Sequence, residues 1–393
     1  MLNVILRCAN QHHYNIHPTK TKIVQCTNSK TPTYEDYWNL GETLLQTSDE
    51  AVHLGLKWTS KNECEINILD RRKVARTKYA LMGSGVHGTN GLDSKTTYQI
   101  YNTYALPRLL FGLEVLPLKT THINKLEDFH RKTIRFLQSL PQRTSIEAIY
   151  LLMGALPLQA EYHKKQLSLL YSLLACENNN IHEIMIRQIS VNYANENNFF
   201  TNIRDVLYMY ELPTISELQH QLPTNLVWKQ EIKKQIHNHW TKRLIDEAGT
   251  KSSLKFLDIN NLKIGKTHNI WNLEEKSRLS VKKSVIKARI ITGTFILQID
   301  KHKFTQYSSS IPATCLLCHK EDEDIIHFLT SCPMLVNVRE EPFLNLKEEV
   351  IKNTAHDTWH RIFNTKYEIS KLIIDCKNFK DINMEDERIL HRI

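Results

Sequence analysis

THINKLEDFHRKTIRFLQSLP, residues 121–141, is the stretch from which the architecture is read. Leu126, Phe129, Phe136, Leu137 and Leu140 recur at helical spacing and define one apolar face. Pro141 disfavours helical geometry at the residue before it, so a helix is expected from Thr121 to Leu140. His130, Arg131, Lys132 and Arg135 fall largely off that face and form a basic cluster. Outward from here the pattern stays helical. Asp93-Ser94 can cap a helix from about Ser94 to Tyr104 that meets Pro107. Further helices are expected over Leu158–Cys176, within 200–250 (which carries Trp228 and Trp240 among lysines), and over Glu274–Ile299. Asn178–Asn180 and Asn192–Asn198 read as breaks or linkers, because asparagine competes with the helical backbone for hydrogen bonds. Only residues 1–60 look mixed, with Thr21–Cys26 and Ala51–Trp58 as short strands. Glycine and proline stand at 11 each, sparse for 393 residues, which also favours helices over many tight-turned strands.

The composition is that of a globular chain able to build a core, with 41% hydrophobic and 24% charged residues. The length points to two or three domains. The net charge of +9 is spread along the sequence. It suits a polyanion, and it equally suits solvated basic faces. Arg7 interrupts a short apolar start, so no signal peptide is read there. The longest apolar run, Ala148–Leu158, is too short to span a bilayer. The expectation is an intracellular chain, nuclear or cytoplasmic, not secreted and with no membrane partner. Gly83-Ser84-Gly85 lacks the Lys-Ser/Thr of a phosphate loop, and no small-molecule substrate is expected for this chain alone.

Three of the eight cysteines crowd into CLLCHKEDEDIIHFLTSCP, residues 315–333. Cys315 and Cys318 form a Cys-x2-Cys pair; His327 follows after eight residues and Cys332 after four more. A Cys-x2-Cys turn presents two thiolates on one side of a tight loop, one edge of a tetrahedron. Asp324 can cap a short helix carrying His327, with Ile326 and Leu329 on its buried side, ending near Cys332 before Pro333. One structural zinc ion is the expected cofactor. Four protein ligands leave no open position for catalysis. The competing reading is three reduced thiols and a surface histidine. His319 competes as the nitrogen ligand, but directly after Cys318 it is badly placed to close the ring. Of the acidic run Glu321–Asp324, all but the capping Asp324 are expected to be solvated.

The surroundings of this cluster resemble the C-terminal zinc-binding region of non-LTR (LINE-type) retrotransposon reverse transcriptases. Arg289-Ile290-Ile291-Thr292-Gly293, then the Cys pair, Glu323 four before His327, Cys332 and Arg339 follow that family's order. Ile16-His17-Pro18-Thr19-Lys20-Thr21 looks like the family segment after the polymerase aspartates, with His17 in place of Asn. Leu54-Gly55 looks like its primer-grip hairpin, Pro107–Leu118 like its thumb-helix pattern with Phe111 in place of Tyr, and Leu140–Leu158 like the helical region after that. The family holds two metal ions on an Asp-Asp pair and an earlier Asp. No adjacent Asp pair occurs in this sequence. By resemblance the pair would lie before Met1.

The resemblance implies a mainly α fold with a small α+β palm remnant at the N-terminus and a zinc-knuckle-like element near the C-terminus. The expected divisions are 1–69 partial palm, 70–177 thumb-like helices, 178–280 helical linker, 281–345 zinc-binding region and 346–393 helical tail. RNA or DNA is the implied partner, gripped by Arg71, Arg72, Lys73, Arg76, Arg131, Lys132, Arg135 and Arg289. No catalytic residue is assigned. Two alternatives stay open: a fragment of a longer active RNA-directed DNA polymerase, and a non-catalytic helical interaction module or relic.

Overall fold

The computed structural model describes residues 2–17, 20–24, 38–45, 47–82, 92–191, 198–272, 277–304 and 311–376. The chain is mainly helical. It opens with α1 (Leu2–Gln11) and two hairpins, β1 (Trp38–Leu40) with β2 (Thr43–Leu45), and β3 (Glu50–His53) with β4 (Leu56–Thr59). The expected strand Ala51–Trp58 is therefore two strands. Leu54 and Gly55, both at positive φ, make the two-residue turn between them. Of the expected strand Thr21–Cys26, Ile23 makes one isolated parallel bridge to Thr47; residues 25 and 26 lie outside the described set.

Next come α2 (Glu63–Met82), α3 (Ser94–Ile100), α4 (Leu106–Leu109), α5 (Thr120–Leu137), α6 (Ile146–Met153) and α7 (Leu158–Leu174). Asp93 caps α3 as expected, its Oδ1 accepting from the Thr96 N–H at 3.0 Å. The helix does not stop before Pro107. A π turn over Tyr101–Ala105 widens the spiral, Leu106 N–H reaches back to the Tyr101 carbonyl, and α4 continues through the proline. The wider turn accommodates a residue that has no N–H to give and needs room for its ring.

Helix α5 ends three residues earlier than its periodicity predicts. Ser139 turns to φ +52°, and the Leu140 N–H closes back onto the Arg135 carbonyl at 3.0 Å. Its buried face is also rotated from the expected one: Leu126, Glu127, His130, Thr133, Ile134 and Leu137 point inward, while Phe136 is 43% exposed. The polar members are tolerated because they are bonded. His130 Nδ1 accepts from the Tyr101 hydroxyl at 2.8 Å and Nε2 donates to the Leu156 carbonyl at 3.0 Å. Burial holds this imidazole below its usual pKa, in the neutral form that this bonding needs. Glu127 accepts from the Tyr150 hydroxyl, from Arg131 Nε at 3.2 Å and from the Gln159 N–H at 3.3 Å.

The chain continues through α8 (Asn179–Val191), α9 (Phe199–Met209), α10 (Ile215–His220) and α11 (Asn225–Gly249). The described part of 178–280, expected as a helical linker, contributes side chains to the main core. On α11, Trp228, Ile232, Ile236, Trp240, Leu244 and Ala248 form a stripe at four-residue spacing. It belongs to the same core as Ile149, Leu152, Leu167 and Trp271. Asn179 and Asn180 open α8, and residues 192–197 lie outside the described set.

The expected helix Glu274–Ile299 is two helices in its described part, α12 (Arg278–Ile291) and α13 (Gln298–Phe304); residues 273–276 lie outside the described set. Gly293, at φ +63°, breaks it beside the Ser253 backbone. Last come α14 (Val336–Asn353), α15 (His356–Asn364) and α16 (Lys366–Ile374), with a small core of Leu346, Val350, Ile362 and Leu372. The boundaries expected at 69/70, 280/281 and 345/346 each fall inside a helix: α2, α12 and α14. Among the described residues no helix is long and apolar enough to cross a membrane.

Candidate metal centre

A short hairpin begins the site. Thr314 bridges Asp322, Glu323 N–H donates to the Ala313 carbonyl at 2.9 Å, and Cys315 N–H to Glu321 at 2.8 Å. The turn between them carries Cys315 and Cys318. His319 closes it at φ +54°, its N–H donating to the Cys315 carbonyl. A helical turn follows, started by Asp324, whose Oδ1 accepts from the His327 N–H at 2.7 Å. A π turn over His327–Ser331 then brings Cys332 N–H to the His327 carbonyl at 2.9 Å. The wider turn sets His327 and Cys332 on the side facing the hairpin.

Cys315, Cys318, His327 and Cys332 thus converge, one ligand atom from each lying within 4.8 Å of the others. The sulfurs of Cys315 and Cys332 are 3.8 Å apart, and Cys318 Sγ is 3.4 Å from His327 Nε2. Ordinary zinc–sulfur and zinc–nitrogen bonds at tetrahedral angles require edges of about 3.8 Å and about 3.6 Å. Cys315, His327 and Cys332 are buried, and Cys318 is half-buried. The Lys320 backbone N–H, donating to Cys318, lowers that thiol to about 7, while burial raises Cys315. The cluster is a candidate metal site whose donors suit zinc.

Two residues beyond the ligands complete it. Glu321 Oε2 lies 3.0 Å from His327 Nδ1. That contact keeps a proton on Nδ1 and leaves Nε2 for the metal. Glu321 is therefore not merely solvated, contrary to expectation; only its backbone partnership with Cys315 reveals why it sits there. Arg339 donates to the Cys332 carbonyl and, at 3.2 Å, to that of Leu335, tying the last ligand to α14. The apolar side of the helical turn is Ile325 and Leu329, which pack on the main core, rather than Ile326 and Leu329. Replacing Glu321 by alanine is expected to weaken zinc binding by at least about tenfold with helix content unchanged. A chelator competition titration, with circular dichroism alongside, measures both.

The expected nucleic-acid-binding residues divide. Arg71 is 7% exposed; it donates to the Gly55 carbonyl, and its guanidinium lies 5.2 Å from the Phe111 ring centroid. It braces the β3–β4 turn and has no face to offer a phosphate. Arg131 is paired with Glu127 at 3.2 Å. Arg135 donates twice to the Thr144 carbonyl, and Arg289 twice to that of Ser139. Lys73, Arg76 and Lys132 are exposed and Arg72 is half-buried. Sequence reasoning missed Arg143, whose Nη2 donates to the Thr294 carbonyl at 2.6 Å. Nothing in its local sequence distinguishes it from a loop arginine.

No protein-family model, curated protein or solved structure matches the chain.

Proposed function

We propose that the chain is a nucleic-acid-binding protein of the non-LTR reverse-transcriptase lineage, its C-terminal region organised by one structural zinc ion. The observation that carries this is the closed four-ligand cluster, which follows the Arg289–Gly293 helix end in the order that the lineage uses. Three thiolates and one imidazole favour zinc over the hard cations, which prefer oxygen ligands. With every position taken by protein, the ion shapes the fold and performs no chemistry. It clamps the 313–323 hairpin, the His327 turn and the start of α14 to one another.

The chain by itself does not polymerise on this reading, because it has no adjacent Asp pair to hold the two metal ions of nucleotidyl transfer. What it retains is the means to grip a phosphate backbone: net charge +9 and exposed bases such as Lys73, Arg76 and Lys132. The test is fluorescence anisotropy of zinc-loaded protein with a labelled single-stranded RNA and a single-stranded DNA of the same sequence. With three or four phosphates neutralised, affinity should fall roughly twenty- to fiftyfold between 50 and 200 mM salt. Absence of binding at the lower salt, or binding indifferent to salt, would remove the nucleic-acid reading.

A further inference from the structure

The loop after α5 and the turn after α12 exchange arginines. Arg289 reaches from α12 to the Ser139 carbonyl, with Nε at 3.2 Å and Nη2 at 2.8 Å. Arg143 reaches the other way, its Nη2 meeting the Thr294 carbonyl at 2.6 Å. The two guanidiniums line one open cleft of about 590 Å³, together with Gln142, Thr294, Phe295 and Ile296. That volume is in the range of clefts that hold small ligands.

Three features of this cleft point the same way. Its lining holds two cationic side chains and no acidic one. Both guanidiniums are oriented by neutral carbonyls, so their charges are fixed in place but not neutralised by a carboxylate. The Nη1 amino group of each has no hydrogen-bond partner among the described residues and remains available as a donor. A fixed guanidinium with spare donors is the group best matched to a phosphate. Beside the cleft, the Phe304 ring at the end of α13 lies 5.5 Å from the Arg143 guanidinium carbon and is 69% exposed. An exposed ring next to a phosphate-binding cation is the arrangement that single strands use, since an unpaired base can stack where a duplex base cannot.

We propose that this cleft binds one backbone phosphate of a single-stranded nucleic acid between Arg143 and Arg289, with a neighbouring base stacked on Phe304. The proposal rests on the nucleic-acid reading above and gives it a place. It also assigns Arg289 two tasks, bracing the Ser139 loop and presenting its remaining donors.

Arg289 is a poor first target, because its loss would also release the loop. Arg143→Ala, Gln142→Glu and Phe304→Ala change exposed side chains. The probe is a labelled oligothymidylate titrated into the full zinc-loaded chain at several salt concentrations. Arg143→Ala and Gln142→Glu should each weaken binding about tenfold and flatten the salt dependence by about one phosphate contact. Phe304→Ala should weaken it about tenfold with the salt dependence unchanged, because stacking releases no counterions. If wild type binds and the Arg143 and Gln142 variants match it in affinity and salt dependence, the cleft is not the site, and the nucleic-acid reading stands without it. If only Phe304→Ala is silent, and a duplex binds as tightly as the single strand, the single-strand assignment is overturned. A wild type that binds no nucleic acid removes both.

Discussion

Cys318→Ser loses the metal, and with it the order of residues 313–332. Wild-type protein purified without chelator should carry about one zinc per chain, as a single four-ligand site requires, and the variant close to none. Cys318 stands opposite His327 Nε2 at 3.4 Å, on one edge of the tetrahedron. A serine hydroxyl there is a far weaker zinc ligand at neutral pH than a thiolate. Structural zinc in small units contributes on the order of 10 kcal/mol. Besides the ion, the element is held by a two-residue bridge and its flanking backbone bonds, one helical turn, the Arg339 bonds to the Cys332 and Leu335 carbonyls, and the contacts of Ile325, Leu329 and Phe328 with the body. Without the ion, three thiols and an imidazole would crowd together with no hydrogen-bonded structure of comparable strength. Hydrogen exchange should show amides of 313–332 losing protection while those of α6 and α7 keep theirs, because that core stands on its own apolar contacts. His319→Ala is the control and should retain zinc. A metal-free wild type, or a Cys318→Ser protein that keeps stoichiometric zinc, would overturn the site.

This cluster was legible in the sequence because its ligands are close in the chain. Spacing alone placed two thiolates on a turn and the other two ligands on a short helix. The same locality explains what was misread. Periodicity on residues 121–140 counts apolar side chains, so it could not see that His130 and Glu127 are buried by partners at Tyr101, Leu156 and Tyr150. The end of α12 is set by the approach of Gly293 to Ser253, forty residues away in sequence and invisible to a helical pattern. Arginines mislead for a related reason. A cluster of bases reads as a surface, yet the guanidiniums of Arg71 and Arg135 are turned onto distant carbonyls. Long side chains with planar donors serve as cross-braces as readily as phosphate contacts. Which role holds at each position depends on which loop lies within reach, and that is a property of the folded chain.

Gly154→Ala should be the most damaging single methyl group in the main core. Gly154 ends α6 at φ +66°, and Ala155 N–H closes back onto the Tyr150 carbonyl at 2.9 Å. The loop that follows α11 is laced over this end. Gly265 N–H donates to the Gly154 carbonyl at 2.7 Å, His268 N–H to that of Leu152 at 2.9 Å, and Thr267 Oγ1 to that of Met153 at 3.2 Å. A Cβ at position 154 would meet the Lys266 carbonyl carbon and oxygen at 2.6 Å and its nitrogen at 2.8 Å. Those are backbone atoms and cannot swing aside. The left-handed conformation costs a non-glycine residue about 1–2 kcal/mol, and forcing extra volume into a packed core adds about 1–3 kcal/mol. The expected loss is therefore about 2–5 kcal/mol, read as a lower urea midpoint with the slope unchanged. Gly249→Ala provides the contrast. Gly249 ends α11 without a left-handed φ, and its nearest neighbour, Ile259 Cδ1, would be 3.9 Å from an added Cβ. That substitution should be neutral or stabilising by up to about 1 kcal/mol. Equal midpoints for the two variants would mean that the 265–268 loop is free to move away from α6, and that the two halves of the core are held together by side-chain packing alone.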